Sequence, residues 1–323
     1  MSNNNLCKVA FVGGGYMTSE HLKVFQDISG VELSGIYGPT KSRIEKLALE
    51  FGMPTVSSSI AELYERTRAD LVVIAVPELA AREVCLEAFK YPWTCLIEKP
   101  AGYDLADAIL IVESAAQQNR KAFVALNRRH HGSTRTVLSD IAMHEGPRLI
   151  HVYDQEDQIA ARKAGQPDLV VDNWMYANSI HMVDYLKILG RGEIVSVEPI
   201  IRWDPENPCF VMAKITYDSG DVGIYEAIWN GPGPWAVTVT SQAKRWEMRP
   251  VEQAAFQIFG SRKLEPVPTD EWDTKFKPGL RVQAAEAVKV ALGQESLVLP
   301  TLKDALDSMK LVQAIYGDGF KRK

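Results

Sequence analysis

Three short segments combine residue types that do chemistry with a context that would hold them in place. The first is Glu98-Lys99-Pro100. It closes the apolar run Thr94–Glu98, and a residue before proline is turned away from helical angles, so Lys99 is expected extended at a strand end. A lysine held near another cation and partly desolvated loses basicity, and then serves as an acid or base near neutral pH. Standing alone, such a side chain is more often a solvated strand-tip lysine. The second segment runs Asp172-Asn-Trp174-Met-Tyr176-Ala-Asn178-Ser-Ile-His181-Met-Val-Asp184. If Asn178 caps a helix ending at Gly190, His181 falls in the first turn and Asp184 stands near the same face. Imidazole near its ordinary pKa relays a proton or hydrogen-bonds a hydroxyl; the plain alternative is a core or capping histidine. Trp174 and Tyr176 can cover the apolar face of a sugar ring or simply pack. Arg128 and Arg129 can hold a carboxylate or phosphate of a substrate, or pair with carboxylates nearby, and the sequence favours neither.

The third segment is Lys8-Val-Ala-Phe-Val-Gly13-Gly-Gly15-Tyr16-Met17-Thr18, an apolar strand entering a glycine turn that opens a helix. Without Cβ atoms at Gly13 and Gly15 the backbone turns sharply. A pyrophosphate can then reach N–H groups at the helix N-terminus, where the helix dipole favours an anion. This is the first turn of a dinucleotide-binding βαβ unit. Thr18 in the third position of the pattern keeps the helix slightly off the strand. An acidic residue at the tip of the second strand would bond the ribose hydroxyls of NAD and repel a 2′-phosphate. The tip here reads Tyr37-Gly38-Pro39-Thr40-Lys41-Ser42-Arg43, with hydroxyls and two cations but no carboxylate. NADP is therefore expected in preference to NAD, with Thr40, Lys41, Ser42 or Arg43 at the phosphate. The competing reading leaves Lys41 and Arg43 as decoration of an exposed helix start.

The elements that must position these residues change character along the chain. In the first part, strand patterns at Val31–Tyr37, Asp70–Val76, Thr94–Glu98 and Lys121–Leu126 alternate with helices at Lys41–Phe51, Leu79–Phe89 and Asp104–Gln118. The last shows Leu105, Ile109, Val112 and Ala116 at helical spacing. Short, nearly unbroken apolar strands between helices imply a parallel, doubly wound sheet. After Leu126, a helix at Ser133–Met143 precedes strand patterns at Leu149–Asp154, Ile194–Trp203, Cys209–Tyr217, Val222–Trp229, Trp235–Ser241 and Lys244–Arg249. Asp218-Ser-Gly220-Asp signals a hairpin, so this sheet is mainly antiparallel. Gln155–Asp168 reads as a polar loop, either a lid or merely exposed, and Glu265–Pro278 as an ordered surface loop. Late helices are expected at Val282–Leu292 and Leu302–Tyr316, the last ended by Gly317-Asp-Gly319.

Taken together, Gly13-x-Gly15-x-Met17-x-x-x-His21, Val76-Pro77, Glu98-Lys99-Pro100, Asn127-Arg128-Arg129 and His181-x-x-Asp184 resemble the Gfo/Idh/MocA oxidoreductases, in order and spacing and over essentially the whole chain. The resemblance implies a Rossmann domain over residues 1–126 and a C-terminal α/β domain over 127–323 that binds substrate and oligomerises. Between them a cleft would bring sugars, polyols or related secondary alcohols to NAD or NADP. It places Gly13, Gly15, Tyr16, Met17, Gly38, Val76, Pro77, Glu98, Lys99 and Asn127 at the cofactor. Lys99 becomes the acid/base that also orients substrate, and His181 the second catalytic residue, with Arg129, Trp174, Tyr176 and Asn178 lining the substrate. One sheet face would pack on a second subunit, giving a homodimer or homotetramer. The family often has Asp four residues before the His, where this chain has Ala177. Ala81 stands where His is frequent and His130 where Phe is, which bears on the substrate more than on the fold.

Composition sets bounds. At 323 residues, with 46 % apolar and 24 % charged residues, the chain has room for two ordinary cores. A net charge of −5 gives no nucleic-acid footprint, and no apolar run is long enough to cross a bilayer. Met1-Ser-Asn-Asn-Asn-Leu lacks the regions of a signal peptide. Cys7, Cys85, Cys95 and Cys209 have no metal-ligand spacing and suit a reducing compartment, the cytoplasm by default. No metal site is expected. The function that fits all this is interconversion of a secondary alcohol and a ketone on a sugar, sugar derivative or cyclitol. Its rivals are an NAD-dependent glycosidase acting by transient oxidation and a dinucleotide-sensing protein without catalysis.

Overall fold

The computed structural model describes residues 6–321. Residues 1–5, read above for signal-peptide features, lie outside the described residues. The chain divides into two compact units, one of residues up to Asn127 with Thr274–Leu306, the other of Arg128–Asp273 with the residues from Asp307 onward. A single boundary at residue 126 therefore misplaces the 274–306 segment, which returns to the first unit.

In the first unit β1 (Cys7–Val12), α1 (Tyr16–Gln26), β2 (Val31–Tyr37), α2 (Lys41–Phe51), β3 (Val56–Ser57), α3 (Ile60–Thr67), β4 (Leu71–Ile74), α4 (Glu78–Ala88), β5 (Thr94–Ile97), α5 (Leu105–Gln117) and β6 (Ala122–Val124) alternate along the chain. All six strands are parallel, in the order β3-β2-β1-β4-β5-β6. Chain order reverses between β1 and β4, the switch point where open α/β sheets bind ligands at the strands' carboxyl ends. β4 and β5 are buried throughout, as a sheet covered on both faces requires. Leu280, Ala284, Ala287 and Val288 of the Leu280–Ala291 helix join Val9, Phe11, Leu22 and Phe25 in this core. Helix α5 turns Ala108, Ile111 and Ala115 inward, while Ile109 and Ala116, on the stripe read from sequence, face out.

The second unit holds a nine-stranded sheet: β7 (Leu149–Glu156), β8 (Ile194–Ile201), β9 (Phe210–Tyr217), β10 (Val222–Trp229), β11 (Ala236–Thr240), β12 (Lys244–Met248), β13 (Ala254–Ile258), β14 (Glu265–Pro266) and β15 (Phe320–Lys321). Its order is β14-β13-β12-β11-β7-β10-β9-β8-β15, with only β7 and β10 parallel. Gly220, at φ +85°, makes the β9–β10 hairpin. Strict alternation in β9 buries Val211, Ala213, Ile215 and Tyr217 on one face, where the Tyr217 hydroxyl donates to Leu186 O of the Ile180–Leu189 helix. Phe210, Met212 and Lys214 take the other face. Gln155–Asp168 is not a loop: β7 runs on to Glu156, and Gln158–Lys163 is a helix capped by the Asp157 side chain. Glu265–Pro278 likewise contains β14 and the short helix Glu271–Lys275. Among the described residues no helix is long and apolar enough to cross a membrane.

Candidate active site

In the first unit the carboxyl ends of β1, β2, β4 and β5 carry every sequence-predicted cofactor residue except Asn127. Gly13 has φ +125°, and a Cβ there would stand 2.0 Å from the Ala75 carbonyl oxygen, so no other residue fits. Its N–H donates to Tyr37 O at 2.8 Å, tying the turn to the end of β2. Gly15 begins α1, and a Cβ at that position would meet nothing within 4 Å. The first turn of α1 has no acidic residue and no side-chain cap, as an anion site at a helix N-terminus requires. Thr18 is buried and its hydroxyl turns back to Ala75 O, so the third pattern position is accommodated by a hydrogen bond. Tyr16 is exposed and Met17 packs on the core. At Gly38 a Cβ would lie 2.9 Å from Ile44 and 3.4 Å from the Gly13 carbonyl carbon, so the strand tip and the glycine turn touch through backbone.

Thr40 is the N-cap of α2, and Lys41, Ser42 and Arg43 follow it, all exposed. Lys41 lies 3.7 Å from Glu45 across one exposed turn. Val76 and Pro77 follow β4, with Pro77 capping α4. Asn127 is held by Nδ2 donating to Pro278 O at 2.9 Å. Glu98 and Lys99 follow β5, and the Lys99–Pro100 peptide is cis. Glu98 Oε1 lies 2.7 Å from His21 Nε2, and its Oε2 accepts from the Lys99 N–H at 3.2 Å. His21 is buried and sits on α1, so this pair locks the lysine turn to the helix that follows the glycines. The sequence reading quoted His21 only as a motif position; its partner was legible only once β1 and β5 were known to share a sheet edge.

In the second unit Met175–Ser179 forms a π-helical turn that runs into the Ile180–Leu189 helix. His181 does fall in the first turn and is buried, and Gly190 ends the helix. Asn178 does not cap it: the cap position is Ser179, without a side-chain bond, and Asn178 Nδ2 donates to Glu156 Oε2 at 2.9 Å. Ala177 is buried, while Trp174 and Tyr176 are half-buried. Of the two uses weighed for Arg129, pairing with a carboxylate is present: its Nε and Nη2 donate to Asp184 at 2.7 and 2.8 Å, and Ser308 Oγ donates to the same carboxylate. Burial opposes the Asp184 charge, but Arg129 and Ser308 outweigh it and hold the carboxyl below its ordinary value. Arg128 donates to Met182 Sδ and lies 4.6 Å over the Trp235 ring. Asp154 and Glu156, not among the residues the sequence points to as a site, sit together on the inner face of β7. Burial pushes both carboxyls up, Glu156 furthest because the charge of Asp154 adds to it. Among the described residues no group of three or more His, Cys, Asp and Glu side chains is arranged to hold a metal ion.

Residues 7–126 match the model of an oxidoreductase family with an NAD-binding Rossmann fold. Over that stretch the chain is similar to the Gfo/Idh/MocA family. Inositol 2-dehydrogenase of Streptomyces avermitilis is 31 % identical over 129 residues, 39 % of this chain and 38 % of that one. Glucose-6-phosphate 3-dehydrogenase of Bacillus subtilis is 24 % identical over 123 residues, 38 % of this chain and 34 % of that one. The match thus spans little more than a third of these curated relatives. Solved structures extend the likeness of fold to both units. Aldose–aldose oxidoreductase from Caulobacter crescentus has a TM-score of 0.81 at 17 % identity, covering 98 % of this chain and 99 % of its own. UDP-N-acetylglucosamine 3-dehydrogenase from Acidithiobacillus ferrooxidans has a TM-score of 0.77 at 17 % identity, covering 96 % of each.

Proposed function

We propose that the chain is an NADP-preferring oxidoreductase that interconverts a secondary alcohol and a ketone on a sugar, sugar derivative or cyclitol. The observation that carries this is in the first unit: a glycine cradle that only backbone can fill lies on the same sheet edge as the Glu98-Lys99-Pro100 turn. The open N-terminus of α1 suits a pyrophosphate, with Gly13, Gly15, Tyr16 and Met17 around it. Thr40, Lys41, Ser42 and Arg43 offer hydroxyls and cations to a 2′-phosphate, and no acidic residue stands among them to repel one. Val76, Pro77, Glu98 and Asn127 would line the rest of the dinucleotide. When bound, the nicotinamide supplies hydride acceptance and donation.

The protein's own part is to place and move a proton. Lys99, held at the strand end by Pro100 and by its N–H bond to Glu98, would take the hydroxyl proton during oxidation and return it during reduction. The cationic ring of an oxidised cofactor would lower its basicity for that task. His181 would orient a substrate hydroxyl or relay the proton, with Trp174 and Tyr176 offering aromatic faces to the ring. Arg129, committed to Asp184, would contact substrate only through its remaining N–H groups. The names of the relatives, inositol 2-dehydrogenase and UDP-N-acetylglucosamine 3-dehydrogenase among them, suit a ring hydroxyl as the reacting group. We place the enzyme in the cytoplasm. We also take it to be a homodimer or homotetramer joined through the sheet face that carries Phe210 and Met212.

The test is nicotinamide absorbance against a panel of sugars, cyclitols and nucleotide sugars, run with both cofactors. Turnover with at least one polyol or ketose is expected. Bound cofactor with no hydride transfer across the panel would overturn the assignment in favour of a sensor. Release of an aglycone without net reduced cofactor would favour a glycosidase.

A further inference from the structure

Neither Asp154 nor Glu156 has a part in the hydride chemistry above, yet both are almost fully enclosed in the second unit, at 1 % exposure each. They project from the same side of β7, two residues apart. The hydrogen bonds around them run one way. Indole N–H can only donate, so Trp229 Nε1 makes the Tyr316 hydroxyl oxygen an acceptor at 3.2 Å. The Tyr316 hydrogen must then go to Tyr225 Oη at 2.9 Å or to Ser179 Oγ at 3.2 Å. Tyr225 donates to Asp154 Oδ2 at 2.7 Å, the Gln155 N–H to Asp154 Oδ1 at 2.9 Å, and Asn178 Nδ2 to Glu156 Oε2 at 2.9 Å. Among the described residues neither carboxyl is paired with a cation; the Arg128 guanidinium acts on Asp154 only at longer range. Two carboxylates enclosed together without a cation cannot both stay charged, and such pairs settle the conflict by retaining one proton.

We propose that Asp154 and Glu156 hold one proton between them at neutral pH. The half-neutralised pair is then the positioning element that anchors the Met175–Ser179 turn, and so the first helical turn carrying His181, to β7. The bond from Asn178 is the anchor: it reaches from the middle of that turn to the carboxyl that burial most favours keeping neutral. The other titratable groups facing the pair are Tyr225 from β10 and Tyr316 from the C-terminal helix. Burial pushes both hydroxyls well above their ordinary range, so they remain donors wherever the pair titrates. Full loss of the shared proton would put two charges against one anchor and loosen the turn. The role at His181 rests on the redox reading; the shared proton does not.

Two measurements on the full chain test this. Infrared spectra at neutral pH should show a protonated-carboxyl band that shifts on carbon-13 labelling of glutamate and is missing from Glu156→Gln. A band absent from the wild type, or unmoved by the label and the substitution, overturns the shared proton. Isotopic labelling needs no variant, so it stands even if Glu156→Gln fails to fold. Where that variant folds, its permanently neutral amide should remove the alkaline decline of kcat expected of the wild type while leaving the KM for cofactor unchanged. Glu156→Ala, which removes the acceptor for Asn178, should lower kcat about tenfold or more at every pH. Identical pH profiles for wild type and Glu156→Gln overturn the positioning role. The infrared result is independent of turnover, so failure of the redox reading and failure of this inference are separately visible.

Discussion

Replacing Asp184 by Asn tests how the second unit holds its His181 helix. The Asp184 carboxylate is 3 % exposed and receives Arg129 Nε and Nη2 at 2.7 and 2.8 Å and Ser308 Oγ at 2.6 Å. The asparagine amide has nearly the same shape, but only one acceptor and no charge. The Arg129 side chain, itself only 15 % exposed, is left without its counter-ion. Breaking a buried pair by removing one partner costs about 3–5 kcal/mol, and the surviving acceptor places Asp184→Asn near the lower end. With a urea m-value of about 2 kcal/mol/M, a loss of about 3 kcal/mol lowers the midpoint by about 1.5 M. Fluorescence isolates the right unit, because Trp174, Trp203, Trp229, Trp235, Trp246 and Trp272 lie in the second unit and only Trp93 in the first. The sign with pH also follows. The folded-state pKa of Asp184 is depressed, so its stabilisation is complete above the unfolded carboxylate value of about 3.9 and is lost as pH falls through the lower folded value. The gap between wild type and variant should therefore close in acid. A midpoint shift below about 0.3 M at neutral pH would show the pair to be worth no more than an exposed one, and would refute the reasoning.

Three other outcomes are expected. Lys99→Ala should lose most turnover while cofactor affinity, followed by fluorescence titration, changes little; near-normal rates would remove Lys99 from the chemistry. Gly13→Ala puts a methyl 2.0 Å from Ala75 O at φ +125°, which should cost about 3 kcal/mol or more in the first unit and abolish cofactor binding. Retention of binding by a folded Gly13→Ala protein would count against the cradle. Arg43→Glu should weaken NADP at least tenfold relative to NAD, since a charge-assisted contact is worth about 1.5–3 kcal/mol. Tighter NAD than NADP binding by the wild type would overturn the preference itself.

The parallel sheet was legible because its strands are short, apolar and separated by helices, and the glycine turn because only glycine meets its geometry. Other features were not. Helix α5 reads Leu-Ala-Asp-Ala-Ile-Leu-Ile-Val-Glu-Ser-Ala-Ala-Gln, apolar around more than one face, so its spacing admits two stripes and packing chose Ala108, Ile111 and Ala115. The sequence pattern ends β7 at Asp154, two residues short, because Gln155-Glu156-Asp157 looks like the onset of a polar loop. Asp154 and Glu156 are buried with partners distant in sequence, Tyr225 donating to Asp154 and Asn178 to Glu156. Asn178 suits a helix cap by type, but the π-helical turn gives the cap to Ser179 and frees the amide for Glu156. The Leu280–Ala291 helix was found within two residues at its start and one at its end, but helical spacing carries no information about which core receives the helix.

That returning helix has a consequence for synthesis on the ribosome. The β1–β6 sheet is complete once residue 124 has emerged, yet the side chains that close its core, from Leu280 to Leu299, follow more than 150 residues later. Until then Val9, Phe11, Leu22 and Phe25 lack part of their cover, so the nascent sheet is exposed to chaperones and proteases through most of translation. A fragment stopped at Asn127 inherits the same gap for good, and the shortest autonomous dinucleotide-binding piece must carry residues 274–306 back to it.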